Sequence, residues 1–346
     1  MKKITSIGYG YSQLRQMLDE EGLSKRVFYG LTELEKKYEI EYLSFDGKKS
    51  IWSLFRNNLM ILNSSDIIIM LYLYISPLVL LSFLKLLGFY KARKVVVISH
   101  EELHRGNGVI SRIIHKMVFN QLDVVLFHSK LNLNDSVFSK LILREKAYFF
   151  YWGEDLSYID KNYAPVNGNF FISTGREYRD FNMLLDAFSN TDASLELYTN
   201  RISYDNNYEY LKEKQNESDL IKIEYVNNTN STAKKLAKRV SESRCVVIPL
   251  IKNHITYCIG LTSVVEAMAL GKPIITSPNP YLPIDVEKEQ IGLVADSLID
   301  WINAIKFIQT HKEEVERMGK RARLLAEERY NIKSTISLLD KIMSDF

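Results

Sequence analysis

Gly260-Leu-Thr-Ser-Val-Val-Glu-Ala-Met-Ala-Leu-Gly-Lys-Pro-Ile-Ile275 is the stretch on which the reading of this chain turns. It is apolar, opens on Gly260-Leu261-Thr262-Ser263, carries one carboxylate at Glu266, and stops at Gly271 before Lys272-Pro273 leads into β-branched residues. Glycine ends helices and a proline two residues on prevents continuation, so the spacing predicts helix, turn, strand. Thr262 and Ser263 fall where the N–H groups of a helix start face an anion. A buried carboxylate one turn further in is costly unless it accepts hydrogen bonds, and a sugar diol offers two donors. Phosphate at the helix start and ribose on Glu266 together describe a nucleotide-diphosphate site. The plain alternative is an ordinary crossover helix with a partly exposed glutamate; the full run is more specific than that.

The segment resembles the donor-binding signature of GT-B glycosyltransferases, especially glycosyltransferase family 4, in which the glutamate before Ala-Met-Ala-x-Gly-Lys-Pro holds the ribose of a nucleotide-sugar. The resemblance implies an α/β chain of two Rossmann-like, doubly wound parallel-sheet domains facing across a cleft. Residues 1–153 would be the acceptor side, joined by a last helix at about 331–346, and residues 154–330 the donor side. The likeness is strong across 170–345, weaker across 94–165, and mostly architectural before that.

Composition agrees with two cores: 346 residues, 46% hydrophobic. Cys245 and Cys258 are too few for a disulfide framework or a four-cysteine metal cluster and fit a reducing compartment. No cleavable leader is read at Met1-Lys2-Lys3, and the expected location is cytoplasmic, peripheral on the inner membrane face. Residues 1–150 hold 21 Lys and Arg against 14 Asp and Glu, a balance of +7; residues 151–346 hold 24 against 28, a balance of −4. The first part is therefore expected to face something anionic, an acidic acceptor or a membrane surface. Segment 82–94 has four basic residues and no acid among Leu, Phe and Tyr, and is the expected contact. Nucleic acid is not expected, since no aromatic-basic RNA motif or helix-turn-helix pattern occurs.

Residues 67–84 approach transmembrane length, but Ser76-Pro77 interrupts them as a helix cap and first-turn proline. They are read as a buried strand at 67–73 and a helix from 77 to about 88. Ile4–Ile7 and Gly8-Tyr-Gly10-Tyr-Ser12 read as a first strand, glycine loop and helix; the resemblance implies that this loop touches acceptor or donor phosphates, with Gly10 a donor-binding candidate. Further strands are expected near 39–43, 94–98 and 123–127. A second alternation follows at 170–174, 195–199, 221–225, 245–250 and 273–276. Tyr148–Asp155 resembles the family's passage between domains. A charged helix over 311–328 breaks at Arg329-Tyr330-Asn331 into a last helix ending near Met343.

Gly175-Arg176-Glu177-Tyr178-Arg179-Asp180 follows a strand, and two arginines three apart can converge on one pyrophosphate. The family has an Arg and a Lys in these places to neutralise the leaving diphosphate. Here Arg176 matches the first, Arg179 stands for the lysine, and Asp180 replaces the usual glycine. Surface pairing with Glu177 or Asp180 is the competing role. Bond cleavage at the anomeric carbon places growing negative charge on phosphate. No Asp-x-Asp occurs, so the expectation is metal-free transfer with the countercharge from Arg176, Arg179 and the helix start, and with no cofactor beyond the nucleotide-sugar substrate, a UDP-sugar favoured.

The resemblance also implies that His100, in Ser99-His100-Glu101-Glu102, lies near the transferred sugar, with Glu101 and Glu102 as reserve bases. It makes Ser129 structural and sets Asn227, in Val226-Asn227-Asn228, in the nucleobase loop. Many family members carry a second glutamate eight residues before the ribose-binding one; Cys258 stands there, so the donor sugar must be held differently, with Lys252, Asn253 and His254 just upstream. The leading reading is a retaining glycosyltransferase acting from a nucleotide-diphosphate-sugar on a glycan or lipid-linked acceptor. A nucleotide-sugar epimerase and a non-catalytic nucleotide-sugar-binding subunit are the alternatives.

Overall fold

The computed structural model describes residues 1–45, 59–89, 94–104, 106–175, 177–200, 208–227 and 229–345, and within them the chain forms two six-stranded parallel sheets. The first sheet contains β1 (Lys3–Tyr9), β2 (Glu39–Phe45), β3 (Ile67–Met70), β4 (Lys94–Ser99), β5 (Val124–Phe127) and β6 (Ala147–Phe149), in the order β2-β1-β3-β4-β5-β6. The second contains β7 (Phe170–Ser173), β8 (Ser194–Thr199), β9 (Ile221–Tyr225), β10 (Cys245–Ile248), β11 (Ile274–Thr276) and β12 (Gly292–Val294), in the order β12-β11-β10-β7-β8-β9. Both orders reverse direction once, between β1 and β3 and between β7 and β10. Strand order of this kind makes two doubly wound α/β units.

The compact units are residues 1–152 with 332–346, and residues 153–331. In the first, the strand sequences are continuous apolar runs because both sheet faces are covered. Ile68, Met70, Val95 and Val97 belong to one core cluster, whereas Ile67, Ile69, Val96 and Ile98 belong to another on the opposite face. The last helix, Ile332–Asp345, supplies Leu339, Ile342 and Met343 to that second cluster. It is also tied down by Lys37 and Tyr38, whose side chains each reach the Asp340 carboxylate at 2.7 Å. The second unit's core gathers Phe181, Leu184, Phe188, Leu195, Val247, Ile275 and the fully buried Trp301.

The apolar run over 67–84 divides as a strand and a helix, and no helix among the described residues is long and apolar enough to cross a membrane. Its details differ from expectation. The strand ends at Met70, and the helix is Ile75–Leu86, beginning before Ser76 with Tyr74 as its uncapped entry residue. Ser76-Pro77 lies inside the first turn, where proline needs no acceptor for a missing N–H, so both positions satisfy the same constraint. Strand β12 was not anticipated; three residues are too few for a periodic signal. Gly271 takes the left-handed conformation (φ 63°) that its place after the helix Leu261–Ala269 predicts.

Candidate functional site

In the second unit the reversal point lies between adjacent strands β7 and β10, and ligands of open α/β sheets bind outside the strand ends at such a point. Two loops leave from it. The loop after β7 leads through Arg179 to the helix Phe181–Ser189, capped by the Asp180 carboxylate, which accepts from Met183 N–H at 3.0 Å. The loop after β10 leads to the helix Leu261–Ala269. They are stitched together by an isolated antiparallel bridge between Arg179 and Leu250, by Ile251 N–H donating to Tyr178 carbonyl at 3.0 Å, and by Tyr178 stacked on His254 at 5.3 Å.

Arg179 is buried, not a surface ion-pair partner. Its Nη1 donates to the backbone carbonyl of Glu177 at 2.7 Å, and its Nε–H has no partner among the described residues. The guanidinium passes directly over Gly175, where an added Cβ would stand 2.1 Å from Nε, so this glycine is required for close approach. Burial pulls the Arg179 pKa down to about 10, which still leaves it charged at neutral pH. Arg176 lies outside the described residues, as does Asn228.

Gly260 enters the next helix at φ 89° and, having no side chain, offers no cap to the first turn: Leu261 N–H donates to the Cys258 carbonyl at 3.1 Å, and the N–H groups of Thr262 and Ser263 receive no side-chain cap. Val264 N–H is the first to close the helical ladder, on the Gly260 carbonyl. Within the helix, Thr262, Ser263 and Glu266 are accessible while Leu261, Val264, Val265, Ala267, Met268 and Ala269 are buried. Helical spacing therefore sets these three on one open face at the helix start. Glu266 is half-buried, which corrects the expectation of a buried carboxylate: it sits at the rim of the apolar face, where a ligand can reach it.

Sequence reading missed the support for this loop. Asn279 donates through Nδ2 to the carbonyls of Tyr257 and Ile259, at 3.2 and 3.0 Å, and Ser277 Oγ accepts from Leu250 N–H at 2.9 Å. The Ser277-Pro-Asn279-Pro turn was the available signal. Cys258 is buried in the same loop, and Lys252 pairs with Asp296 at 2.8 Å. Asn227 is exposed after β9, two strands from β7, roughly 10 Å along the sheet. Its carbonyl accepts from Thr229 N–H at 3.0 Å, and Thr229 caps the helix Asn230–Glu242.

Lys272, in the segment that opens with the helix Leu261–Ala269, is elsewhere. It precedes β11 at the edge where strands begin, and its ammonium donates to the carbonyls of Val166 (2.6 Å) and Ser243 (2.8 Å). Burial lowers its pKa to about 8. A groove lined by Arg244, Lys272, Lys320, Arg323 and Glu327 lies at this edge, remote from the reversal point.

In the first unit Gly10 follows β1 at φ 68° and leads into the helix Tyr11–Glu21, with open space where a Cβ would stand. His100 follows β4. Its Nε2 meets the Tyr29 hydroxyl at 2.8 Å, its ring stacks on Tyr72, and burial lowers its pKa to about 4. It is thus a neutral imidazole at physiological pH. Glu101 and Glu102 do not pair with it; their carboxylates lie at His104, 3.9 and 3.4 Å away. Ser129 caps the helix Lys130–Phe138 through Asn132 N–H, a structural role. His128, not singled out from sequence, is buried with its ring centroid 4.9 Å from that of His100, with Nδ1 at the Phe150 carbonyl and Nε2 without a partner among the described residues. Burial holds its pKa well below the usual value. Among the described residues no group of three or more His, Cys, Asp or Glu is placed to hold a metal ion.

This architecture has clear counterparts among solved structures. Anabaena HepE in complex with UDP matches with a TM-score of 0.70 over 100% of both chains, at 14% identity. A trehalose-6-phosphate synthase studied for glycosyl transfer with retention matches at 0.69 over 99% of both chains, at 9% identity. The chain has the GT-B glycosyltransferase fold. A Listeria monocytogenes protein described as a UDP-N-acetylglucosamine 2-epimerase shares the GT-B likeness at 0.59, covering 100% of this chain and 97% of that one, at 12% identity. No family model and no curated protein matches by sequence. At these identities the likeness is one of fold, and the two parallel sheets account for it.

Proposed function

We propose that the chain is a glycosyltransferase that moves a sugar from a nucleotide-diphosphate-sugar, a UDP-sugar favoured, to a glycan or lipid-linked acceptor, with retention and with protein groups supplying the countercharge. One observation carries the reading: an uncapped helix start, the accessible trio Thr262, Ser263 and Glu266, and the buried cation Arg179 gather at one reversal point. The diphosphate is assigned to the helix start with Arg176 and Arg179, the ribose to Glu266, and the base to the Asn227 loop. His100 is assigned to the transferred sugar and Gly10 to the donor phosphates. The neutral imidazole of His100 can donate or accept a hydrogen bond without competing for the charge on phosphate.

Thermal shift against UDP-, GDP-, ADP- and dTDP-sugars tests this. A bound donor at 100 times its Kd adds about 2.7 kcal/mol of stability, and a UDP-sugar is expected to give the largest shift. Product analysis then separates transfer from the epimerase reading that the Listeria likeness favours: an epimer formed without acceptor supports the latter. No shift with any donor would overturn both.

We also propose that the first unit docks on an anionic membrane. Within 82–94, Phe83, Leu86, Leu87 and Phe89 are exposed beside Lys85, while Ser82 and Leu84 are core. Tyr90, Lys91, Ala92 and Arg93 lie outside the described residues, and Lys94 is engaged with Asp123 at 3.5 Å rather than available to a surface. The helix Val109–Asn120 adds Val109, Ile110 and Ile113, 72%, 76% and 63% exposed, flanked by Arg112 and Lys116. Co-sedimentation with anionic but not neutral liposomes, lost at high salt, is the expected result. Equal recovery in the supernatant under every condition removes the proposal.

A further inference from the structure

At the edge where β10 and β11 begin, opposite the reversal point, the second unit carries a groove of about 590 Å³ that the transfer chemistry does not use. Its floor is set by backbone contact. A Cβ on Gly319 would clash with the Gly271 carbonyl oxygen, so the helix Lys312–Glu328 lies directly on the turn before β11. Three cations line the groove without forming an ion pair among the described residues. Lys272 is 3% exposed, and its ammonium meets two neutral carbonyls, those of Val166 and Ser243. Arg244, just before β10, donates through Nε and Nη1 to the carbonyls of Gly168 and Gln309, each at 3.2 Å. Lys320 stands exposed on the covering helix. Arg323 differs, being matched by Glu327 at 2.7 Å and Asp160 at 2.9 Å. Glu316 accepts from the Asn167 amide at 3.3 Å, and Pro273 and the exposed Leu324 add apolar surface.

An ammonium has three donors and a guanidinium five, so Lys272 and Arg244 both keep N–H groups beyond those spent on carbonyls. A phosphate monoester brings three strong acceptor oxygens and a charge of about −1.5 to −2, where a carboxylate brings two oxygens and one charge. The volume lies in the range of about 300–1,000 Å³ usual for small-molecule sites. We propose that this groove binds a small sugar phosphate, with the phosphate on Lys272, Arg244 and Lys320, a hydroxyl on Glu316 and the carbon skeleton against Pro273 and Leu324. The site goes beyond the transfer reading and does not rest on it, because the groove and the reversal point lie at opposite ends of β10.

The test is calorimetric titration of the full chain with glucose 6-phosphate, inorganic phosphate and glucose, each with and without saturating UDP. Glucose 6-phosphate is expected to bind in both conditions, inorganic phosphate more weakly, and glucose below detection. Lys320→Glu should weaken glucose 6-phosphate about tenfold or more, the size of one lost charge-assisted hydrogen bond, and Lys320→Arg should keep it. Lys320 is exposed, so neither change disturbs packing. Binding that UDP displaces, or that Arg179→Met removes and Lys320→Glu spares, would put the phosphate at the other strand ends and overturn the groove. Absence of binding by every probe, or equal affinity for glucose and its phosphate, would overturn it too. Inorganic phosphate bound as tightly as the ester would overturn the sugar part. A chain that binds UDP but no glucose 6-phosphate loses the groove alone. One that binds glucose 6-phosphate through Lys320 but never UDP loses the donor reading alone.

Discussion

Replacing Arg179 by methionine should lower turnover for sugar transfer about 10²- to 10³-fold, the usual effect of losing one donor aimed at developing charge. The unliganded protein should remain as heat-stable as wild type, or become more so. The two halves of this prediction come from one fact. Arg179 is a buried cation whose Nε–H has no partner among the described residues, whose Nη1 bonds a neutral carbonyl, and whose charge is offset by the Glu177 carboxylate. Desolvating a cation costs several kcal/mol that such an offset repays only in part, so an apolar side chain of similar length is tolerated there. A diphosphate would bring further opposite charge. If the guanidinium only shapes its loop through the Glu177 carbonyl, melting temperature and activity will fall together, and Arg179 leaves the chemistry. Gly175→Ala approaches from the other side, since its Cβ would stand 2.1 Å from Nε and must displace the guanidinium. Arg176→Ala is expected to depress turnover in the same range; near-wild-type transfer by that variant would place the whole countercharge on Arg179 and the helix start.

Much of the fold was legible because buried parallel strands announce themselves. Ile67–Met70, Val95–Ile98 and Cys245–Ile248 are uninterrupted apolar runs, which follows from cover on both faces. What failed was local. The helix entry at Ile75 was misplaced by two residues because serine and proline are acceptable both as cap and first turn and within that turn. Lys272 sits in the most telling segment of the chain, yet the glycine turn carries it to the edge opposite the site. Glu266 was expected as a buried carboxylate among apolar residues, yet it is half-buried on the accessible face with Thr262 and Ser263, since depth depends on what packs beyond the helix. The aromatic assembly around His100 was invisible. Its members come from positions 29, 72, 100, 128 and 150, and no sequence period links residues that meet only through strand order.

Changing Glu266 to glutamine should weaken UDP binding by about one to two orders of magnitude, since a hydrogen bond to a charged group contributes roughly 1.5–3 kcal/mol. The fold should be untouched: Glu266 is half-buried on the accessible face of its helix, and glutamine keeps its shape. A change in affinity alone does not name the partner, because any carboxylate near a helix start also alters the local field that a diphosphate feels. A UDP analogue without ribose hydroxyls separates these. If Glu266 accepts from the diol, wild type should bind the analogue about as weakly as the glutamine variant binds UDP. The variant should then lose little more on switching ligands, because the interaction is already gone. A field effect gives a different pattern. Removing a negative charge near phosphate would leave UDP binding unchanged or strengthen it, and the analogue would cost both proteins the same factor. Calorimetric titration of the four combinations reads the coupling directly, and full additivity would take Glu266 away from the ribose.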